Sequence, residues 1–333
     1  MSRTRVTVTG AGGFIGHHLV GFLKRRDYWV RGVDLGPPAY EPSAADEFVR
    51  LDLRLAESAL EATREVDEVY ALAADMGGMG YISRNHSRIM RNNLLIAIHG
   101  LQAVTQNRVK RYLFSSSACV YPVDRQDDAD VIPLREEEAY PAHPEDGYGW
   151  EKLLTERLCG YYAADHDIEM RIVRFHNIFG PLGAWDGGRE KAPAAICRKV
   201  AVAKLTGNPE VEIWGDGEQT RSFCYIDDCL EGVHRLMRSD YREPLNLGQD
   251  RLITINQLAD MVAGIAGIRI VKKHQPGPQG VRGRNSDNTR IRQALGWQAL
   301  VSLEEGLART YAWIEARVRE RAVAGAELSP TRS

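Results

Sequence analysis

Residues 5–34, RVTVTGAGGFIGHHLVGFLKRRDYWVRGVD, decide the fold. Arg5 to Thr9 is β-branched and apolar, Phe14 to Arg26 carries apolar residues at helical spacing, and Trp29 to Asp34 is apolar again and ends in an acid. That order is a βαβ unit. Gly10, Gly13 and Gly16 fall in its first turn as GxxGxxG, where missing side chains let backbone amides, those of Phe14 and Ile15 among them, approach a pyrophosphate at the helix N-terminus. Glycines alone are weak evidence, since a structural turn uses them too. Asp34 strengthens the reading: a carboxylate ending the second strand accepts hydrogen bonds from both ribose hydroxyls and repels a 2′-phosphate, which favours NAD over NADP. Asp52 reads equally well as an adenine contact or as a solvated turn acid.

Outward from this unit the alternation continues. Strands are expected at Glu47 to Leu51, Glu68 to Leu72, Arg111 to Ser115 and Glu169 to Phe175, with helices at Ser87 to Asn107 and Tyr148 to Asp165. Strands and helices alternating at these lengths predict an α/β fold with a doubly wound parallel sheet of Rossmann type. After Phe175 the chain turns to Gly- and Pro-rich loops with shorter elements, then reads again as strand and helix from Ser222 to Leu236, and another helix begins at Thr254. The expected division is 1–175 with 222–248 for the dinucleotide, 176–221 with 249–319 for a smaller mixed α/β substrate-binding domain, and a disordered tail at 320–333.

Lys and Arg total 43 against 45 Asp and Glu, so no global charge points to nucleic acid or an anionic membrane surface. No stretch approaches the ~20 apolar residues that span a bilayer. Cys119, Cys159, Cys197, Cys224 and Cys229 are odd in number and lack redox or zinc spacing, so a soluble, cytoplasmic protein without a metal is expected.

Tyr148 and Lys152 form YxxxK, which a helix places on one face. Alone, that pair is most often a surface feature. Downstream of a dinucleotide fold and of Ser115-Ser116-Ser117 at a strand end it acquires a chemical reading: a nearby ammonium and a cationic cofactor favour phenolate, so Tyr148 removes a hydroxyl proton as hydride leaves the same carbon. Together these residues resemble the extended short-chain dehydrogenase/reductase family, with Ser117, Tyr148 and Lys152 at its catalytic positions. Ala73 to Gly80, Ser116 to Pro122, Gly187 to Ala195 and Val281 to Asn288 narrow the resemblance to its epimerases of GDP-activated sugars, over Arg5 to Trp313. Gly147 and Trp150 depart from the expected Ala and Leu, leaving the catalytic groups intact.

The resemblance implies inversion of carbons 3 and 5 of GDP-α-D-mannose through a 4-keto intermediate, giving GDP-L-galactose and GDP-L-gulose, by a homodimer. A related GDP-hexose or GDP-heptose, and a non-catalytic NAD-binding protein, remain the alternatives. Oxidation at carbon 4 makes both neighbours α to a ketone, and each inversion then needs a base and an acid on opposite faces. The resemblance assigns those roles to Cys119 and Lys191. It also assigns sugar contacts to Gly77, Gly78, Asn177 and Glu190, with Gly80 alongside, and diphosphate or nucleotide contacts to Lys199, Gln219, Arg221, Arg282 and Arg284. Histidines show no metal-ligand spacing.

Overall fold

The computed structural model describes residues 3–324. The first half comprises β1 (Arg5–Thr9), α1 (Phe14–Lys24), β2 (Trp29–Asp34), β3 (Glu47–Arg50), α2 (Ala56–Ala62), β4 (Glu68–Ala71), α3 (Met79–Ile82), α4 (His86–Gln106) and β5 (Arg111–Ser117). Next come α5 (Gly147–Asp165), β6 (Glu169–Phe175), β7 (Ile178–Phe179), α6 (Ala192–Thr206), β8 (Glu210–Trp214), β9 (Thr220–Ser222), β10 (Cys224–Tyr225) and α7 (Ile226–Arg238). The chain continues with β11 (Leu245–Leu247), β12 (Leu252–Thr254), α8 (Ile255–Ala266), β13 (Val271–Gln275), β14 (Gly283–Arg284), α9 (Thr289–Leu295) and α10 (Leu303–Val323).

Seven strands form one sheet in the order β11-β6-β5-β4-β1-β2-β3, every pair parallel. Helices cover both faces, so the inner strands are buried on both sides and read as apolar or β-branched runs such as Val6-Thr7-Val8-Thr9. The order reverses between β1 and β4, which opens a crevice at their carboxyl ends. The doubly wound Rossmann sheet expected from residues 5–34 is present.

A second region lies over that crevice. It contains the three-stranded sheet β12-β9-β14, the pair β13-β8, and packed helices α6, α8 and α10. Its helices have clear local signals: Thr254 and Gln257 form a capping box at the start of α8, and Gly207 ends α6 at φ 75°. Helix α10 runs through Val323, so residues 320–323, expected in a disordered tail, are helical; 325–333 lie outside the described residues. Ser302 caps its start by accepting from the Glu305 amide.

Candidate active site

A cavity of about 1200 Å³ runs along the carboxyl ends of the strands, between the sheet and the second region. Its dinucleotide half is built almost entirely by the βαβ unit. Gly10 has φ 72°, and a Cβ there would stand 2.9 Å from the Leu72–Ala73 backbone. A Cβ on Gly16 would lie 2.1 Å from the Gly10 carbonyl oxygen, so glycine there is what seats α1 on the turn. Gly13 is the N-cap of α1; with no side-chain cap and no acid in the first turn, the amide end of the helix faces the cavity. Asp34 accepts from the amides of Gly12 (2.9 Å) and Leu35 (2.6 Å), which fixes its carboxylate at the cavity wall. Asp52 also lines the cavity but grips Arg54 at 2.5 and 2.8 Å, which pulls its pKa down.

The redox residues converge at the middle. Asp146 caps α5 by accepting from the Gly149 amide at 2.9 Å, and this fixes Tyr148 in the first turn. The buried Tyr148 phenol hydrogen-bonds the Ser117 hydroxyl, which also accepts from the Cys119 amide at 3.2 Å. Lys152 Nζ stands 5.6 Å from the Tyr148 ring centroid and 3.8 Å from the buried Glu151 carboxylate. Burial is the leading cause that raises the Tyr148 pKa well above its usual 10.0, and the Glu151 carboxylate adds to it. The positive charge of a bound cofactor would act in the opposite sense and favour the phenolate.

Cys119 sits in a 3₁₀ turn, Ala118–Val120, directly after β5. Arg284 Nη1 donates to its sulfur at 3.3 Å, while Arg284 Nε donates to Gln126 Oε1 at 2.6 Å and Nη2 lies 4.0 Å from Glu145. That buried Nη2 has no hydrogen-bond partner among the described residues, so it remains available to an acceptor on a ligand. Gly149 brings the Cys119 backbone against α5: a Cβ there would be 2.2 Å from the Cys119 carbonyl oxygen. Opposite, Lys191 is the N-cap of α6. Its side chain is reached by cavity solvent yet surrounded by protein, and this enclosure lowers its pKa, with Cys119 the leading charge acting against the shift. Cys119 and Lys191 therefore share one cavity and sense one another electrostatically.

The walls around them join the two regions. Gly78 donates its amide to the Arg189 carbonyl at 3.1 Å, and a Cβ on Gly78 would be 2.4 Å from the Glu190 carbonyl oxygen; Gly77 packs on Tyr81. Glu190 accepts from the Gly188 amide (2.7 Å) and Arg198 (3.2 Å), holding the loop that presents Lys191. Asn177 takes φ 47° and donates to the Ser222 carbonyl at 2.9 Å. Lys199 donates to the Glu212 carbonyl at 2.9 Å, with a pKa lowered by burial. Arg221 donates to Thr220, Gln279 and Val281 carbonyls, and burial beside Arg284 pushes its pKa down to about 9. Gln219 donates to the Trp214 carbonyl while its buried Oε1 has no partner among the described residues. Arg282 is the exception. It does not line the cavity; its guanidinium reaches Asp216 at 2.8 Å on the exposed β8–β9 turn.

The model of the NAD dependent epimerase/dehydratase family matches residues 6–248. The chain belongs to that family. GDP-mannose 3,5-epimerase of Arabidopsis thaliana is 47% identical over 327 residues, covering 98% of this chain and 86% of that protein. GDP-L-fucose synthase of Escherichia coli is 28% identical, over 94% of this chain and 97% of its own. Among solved structures, UDP-glucose 4-epimerase of Thermotoga maritima with UDP-glucose is 28% identical at a TM-score of 0.84, covering 95% of this chain and 100% of that one. MoeE5 in complex with UDP-glucose and NAD is 28% identical at 0.80, covering 94% and 99%.

As in other NAD dependent epimerases and dehydratases, NAD is the cofactor, and the residues present fit it. The open α1 N-terminus suits the pyrophosphate and Asp34 the adenosine ribose, and Tyr148 and Lys152 line the same cavity, where they would face the nicotinamide. Two residues of the site were not singled out by sequence reasoning: Glu145, which lines the cavity, and Asn93, which lies behind its wall. Glu145 stands beside Arg284 and Arg221. Asn93 accepts from the Asp75 amide at 2.6 Å and donates to Glu151 at 2.7 Å, tying the Met76–Gly80 wall to the helix of Tyr148. A signal existed for the last: Asn92-Asn93 in an otherwise amphipathic helix is an unusual pair to bury. No group of metal-ligating side chains occurs among the described residues.

Proposed function

We propose that this chain inverts carbons 3 and 5 of GDP-α-D-mannose through a 4-keto intermediate, yielding GDP-L-galactose and GDP-L-gulose. The observation that carries the proposal is that Cys119 and Lys191, each able to carry a proton, line the same cavity as Tyr148 and Lys152. NAD, held at the amide end of α1 and by Asp34, would supply the hydride acceptor for carbon 4 and the donor for its later reduction. Tyr148 takes the 4-hydroxyl proton and gives it back, with Ser117 fixing the hydroxyl and Lys152 holding positive charge nearby. With carbon 4 a ketone, one member of the Cys119–Lys191 pair removes the proton from a neighbouring carbon as the electrons move to the carbonyl oxygen. The other member delivers a proton to the opposite face. Arg284, with a free N–H beside the sulfur, is placed to accept the developing negative charge.

Turnover of GDP-mannose in heavy water tests this. Deuterium at carbons 3 and 5 of the recovered sugar, seen by NMR, is the expected result, and unlabelled sugar with inversion confined to carbon 4 would reject it.

We further propose a cytoplasmic homodimer. Trp150, Leu154 and Tyr161 on α5 and Ile98 on α4 are large apolar side chains left exposed on adjacent packed helices, a surface suited to a second copy. Trp150→Glu with Leu154→Glu should shift the mass measured by light scattering from dimer to monomer. The five unpaired cysteines suit a reducing compartment, and no helix among the described residues is long and apolar enough to cross a membrane.

A further inference from the structure

An enzyme that gives back the hydride it took cannot let its dinucleotide leave between the two events. If it did, an oxidised sugar and a reduced cofactor would part company. Three segments close over the dinucleotide half of the cavity, and the residues of theirs that matter here take no part in the chemistry described above. The first is the loop after Asp34, whose Pro37, Pro38 and Tyr40 line the cavity. The second is the loop after β7: Gly180 and Gly183 lie so close over Phe14, at the first turn of α1, that a Cβ on either would meet its ring at 3.3 Å. The third is α10, whose Thr310 lines the cavity one turn before Trp313.

Aromatic side chains join the three. The Tyr40 ring stands edge-on to Trp313 of α10, with centroids 4.9 Å apart and planes at 82°. The Trp185 indole N–H donates to the Tyr40 hydroxyl, and Trp185 itself is buried. Arg321 of α10 then covers Trp185 at 4.3 Å from the ring centroid and pairs with Asp186. Each segment is anchored at one end by the cavity and at the other by this cluster, so the cluster can open only if Tyr40 leaves both indoles.

We propose that Tyr40, Trp185 and Trp313 form a clasp that retains the dinucleotide across the catalytic cycle. Tyr40 is the latch: it is the member of the three that lies on an exposed loop, with 37% of its surface accessible, and it alone touches both other rings. The clasp rests on NAD as cofactor and is independent of which sugar is turned over. An aromatic edge contact plus a hydrogen bond is worth enough to slow cofactor release roughly ten-fold or more.

The test is the dissociation rate of NAD. Wild type, Tyr40→Ala, Tyr40→Phe and Trp313→Leu are loaded with radiolabelled NAD and chased with unlabelled NAD, and label retained on the protein is followed with time. Release at least ten-fold faster is expected in Tyr40→Ala and Trp313→Leu. Tyr40→Phe, which keeps the ring contact and loses the bond from Trp185, should fall between. The melting temperature and Asp34-dependent NAD binding of each variant show that the fold and the site survive, and Tyr40→Phe serves if the larger changes unfold the chain. Wild-type release from a folded Tyr40→Ala, or Tyr40→Phe and Tyr40→Ala both releasing as slowly as wild type, would overturn the clasp and leave Tyr40 as surface packing. Unchanged release overturns the clasp whatever the sugar, whereas a wild type that leaves GDP-mannose unturned while the variants release NAD faster overturns the sugar assignment alone.

Discussion

The two halves of the cavity are made in opposite ways. The dinucleotide half comes from one continuous stretch, Gly10 to Asp34, and works largely through backbone amides and one carboxylate. The sugar half is assembled from separate stretches, among them those of Gly77–Gly78, Ser117–Cys119, Tyr148–Lys152, Glu190–Lys191, Arg221 and Arg284. The difference follows from the chemistry each performs. A pyrophosphate is held by amides that one helix end already aligns, so adjacent residues suffice. Inverting a ring carbon requires side chains on both faces of the ring, and a single element cannot supply both.

The comparison makes the largest effects fall where the two halves meet. Tyr148→Phe keeps the ring packing and removes the proton acceptor, so oxidation at carbon 4 should drop by about 10²–10⁴-fold, together with any transient NADH absorbance; a variant turning over normally would dismiss the ketone route. Cys119→Ala and Lys191→Ala act within the sugar half alone. Each should cut inversion by about 10²–10³-fold while transient NADH formation persists, and NMR of the sugar reads inversion separately from oxidation. Asp34→Asn acts within the other half: losing a charged acceptor for ribose should weaken NAD roughly 10–100-fold in a calorimetric titration, with sugar affinity little changed.

A smaller effect reports on the frame beneath the sugar half. His176 is fully buried against Asn246 at 2.9 Å, and burial lowers its pKa from 6.5 to about 3. Below pH 6.5 the unfolded chain binds a proton that the folded one refuses, so this residue's contribution makes stability fall as pH drops from 6.5 toward 3, by at most about 1.4 kcal/mol per pH unit. Urea midpoints measured across that range should show a shallower acid limb in His176→Gln. Smallest of all is Arg282→Ala, which should change KM for the sugar nucleotide less than about two-fold because its partner Asp216 is exposed. Arg284→Ala, two residues on, should be far more damaging, and equal effects would erase the distinction between them.

What could be read from sequence divides along the same line. Residues 5–34 declared the sheet, the turn and the carboxylate because strand, helix and glycine spacing are local. Cys119 and Lys191 carry no local mark; a strand-end cysteine and a loop lysine were given roles by resemblance, and they come to line one cavity because the loop before α6 folds back across the sheet and is tied there by the Gly78 amide to the Arg189 carbonyl. Arg282 and Arg284 looked equivalent in Val281 to Asn288. Their separation depends on β14 pairing with β9, which turns Arg284 inward while Arg282 reaches the β8–β9 turn. The raised pKa of Tyr148 was likewise illegible, since desolvation depends on everything packed around the phenol and the YxxxK spacing reports Lys152 alone.

Gly149 carries a consequence for how such an enzyme can be altered. The Cys119 carbonyl rests against the helix one residue after Tyr148, with no Cβ between them. Hydride chemistry and proton chemistry thus take their position from a single datum, as two tools cut on one jig. A displacement of α5 by a few tenths of an ångström carries both reactive groups the same way, so their spacing is conserved while their registry with Lys191, mounted on α6, is lost. Adjustments to the sugar held should therefore be made on the α6 side of the cavity, where the tolerance between the two tools is untouched.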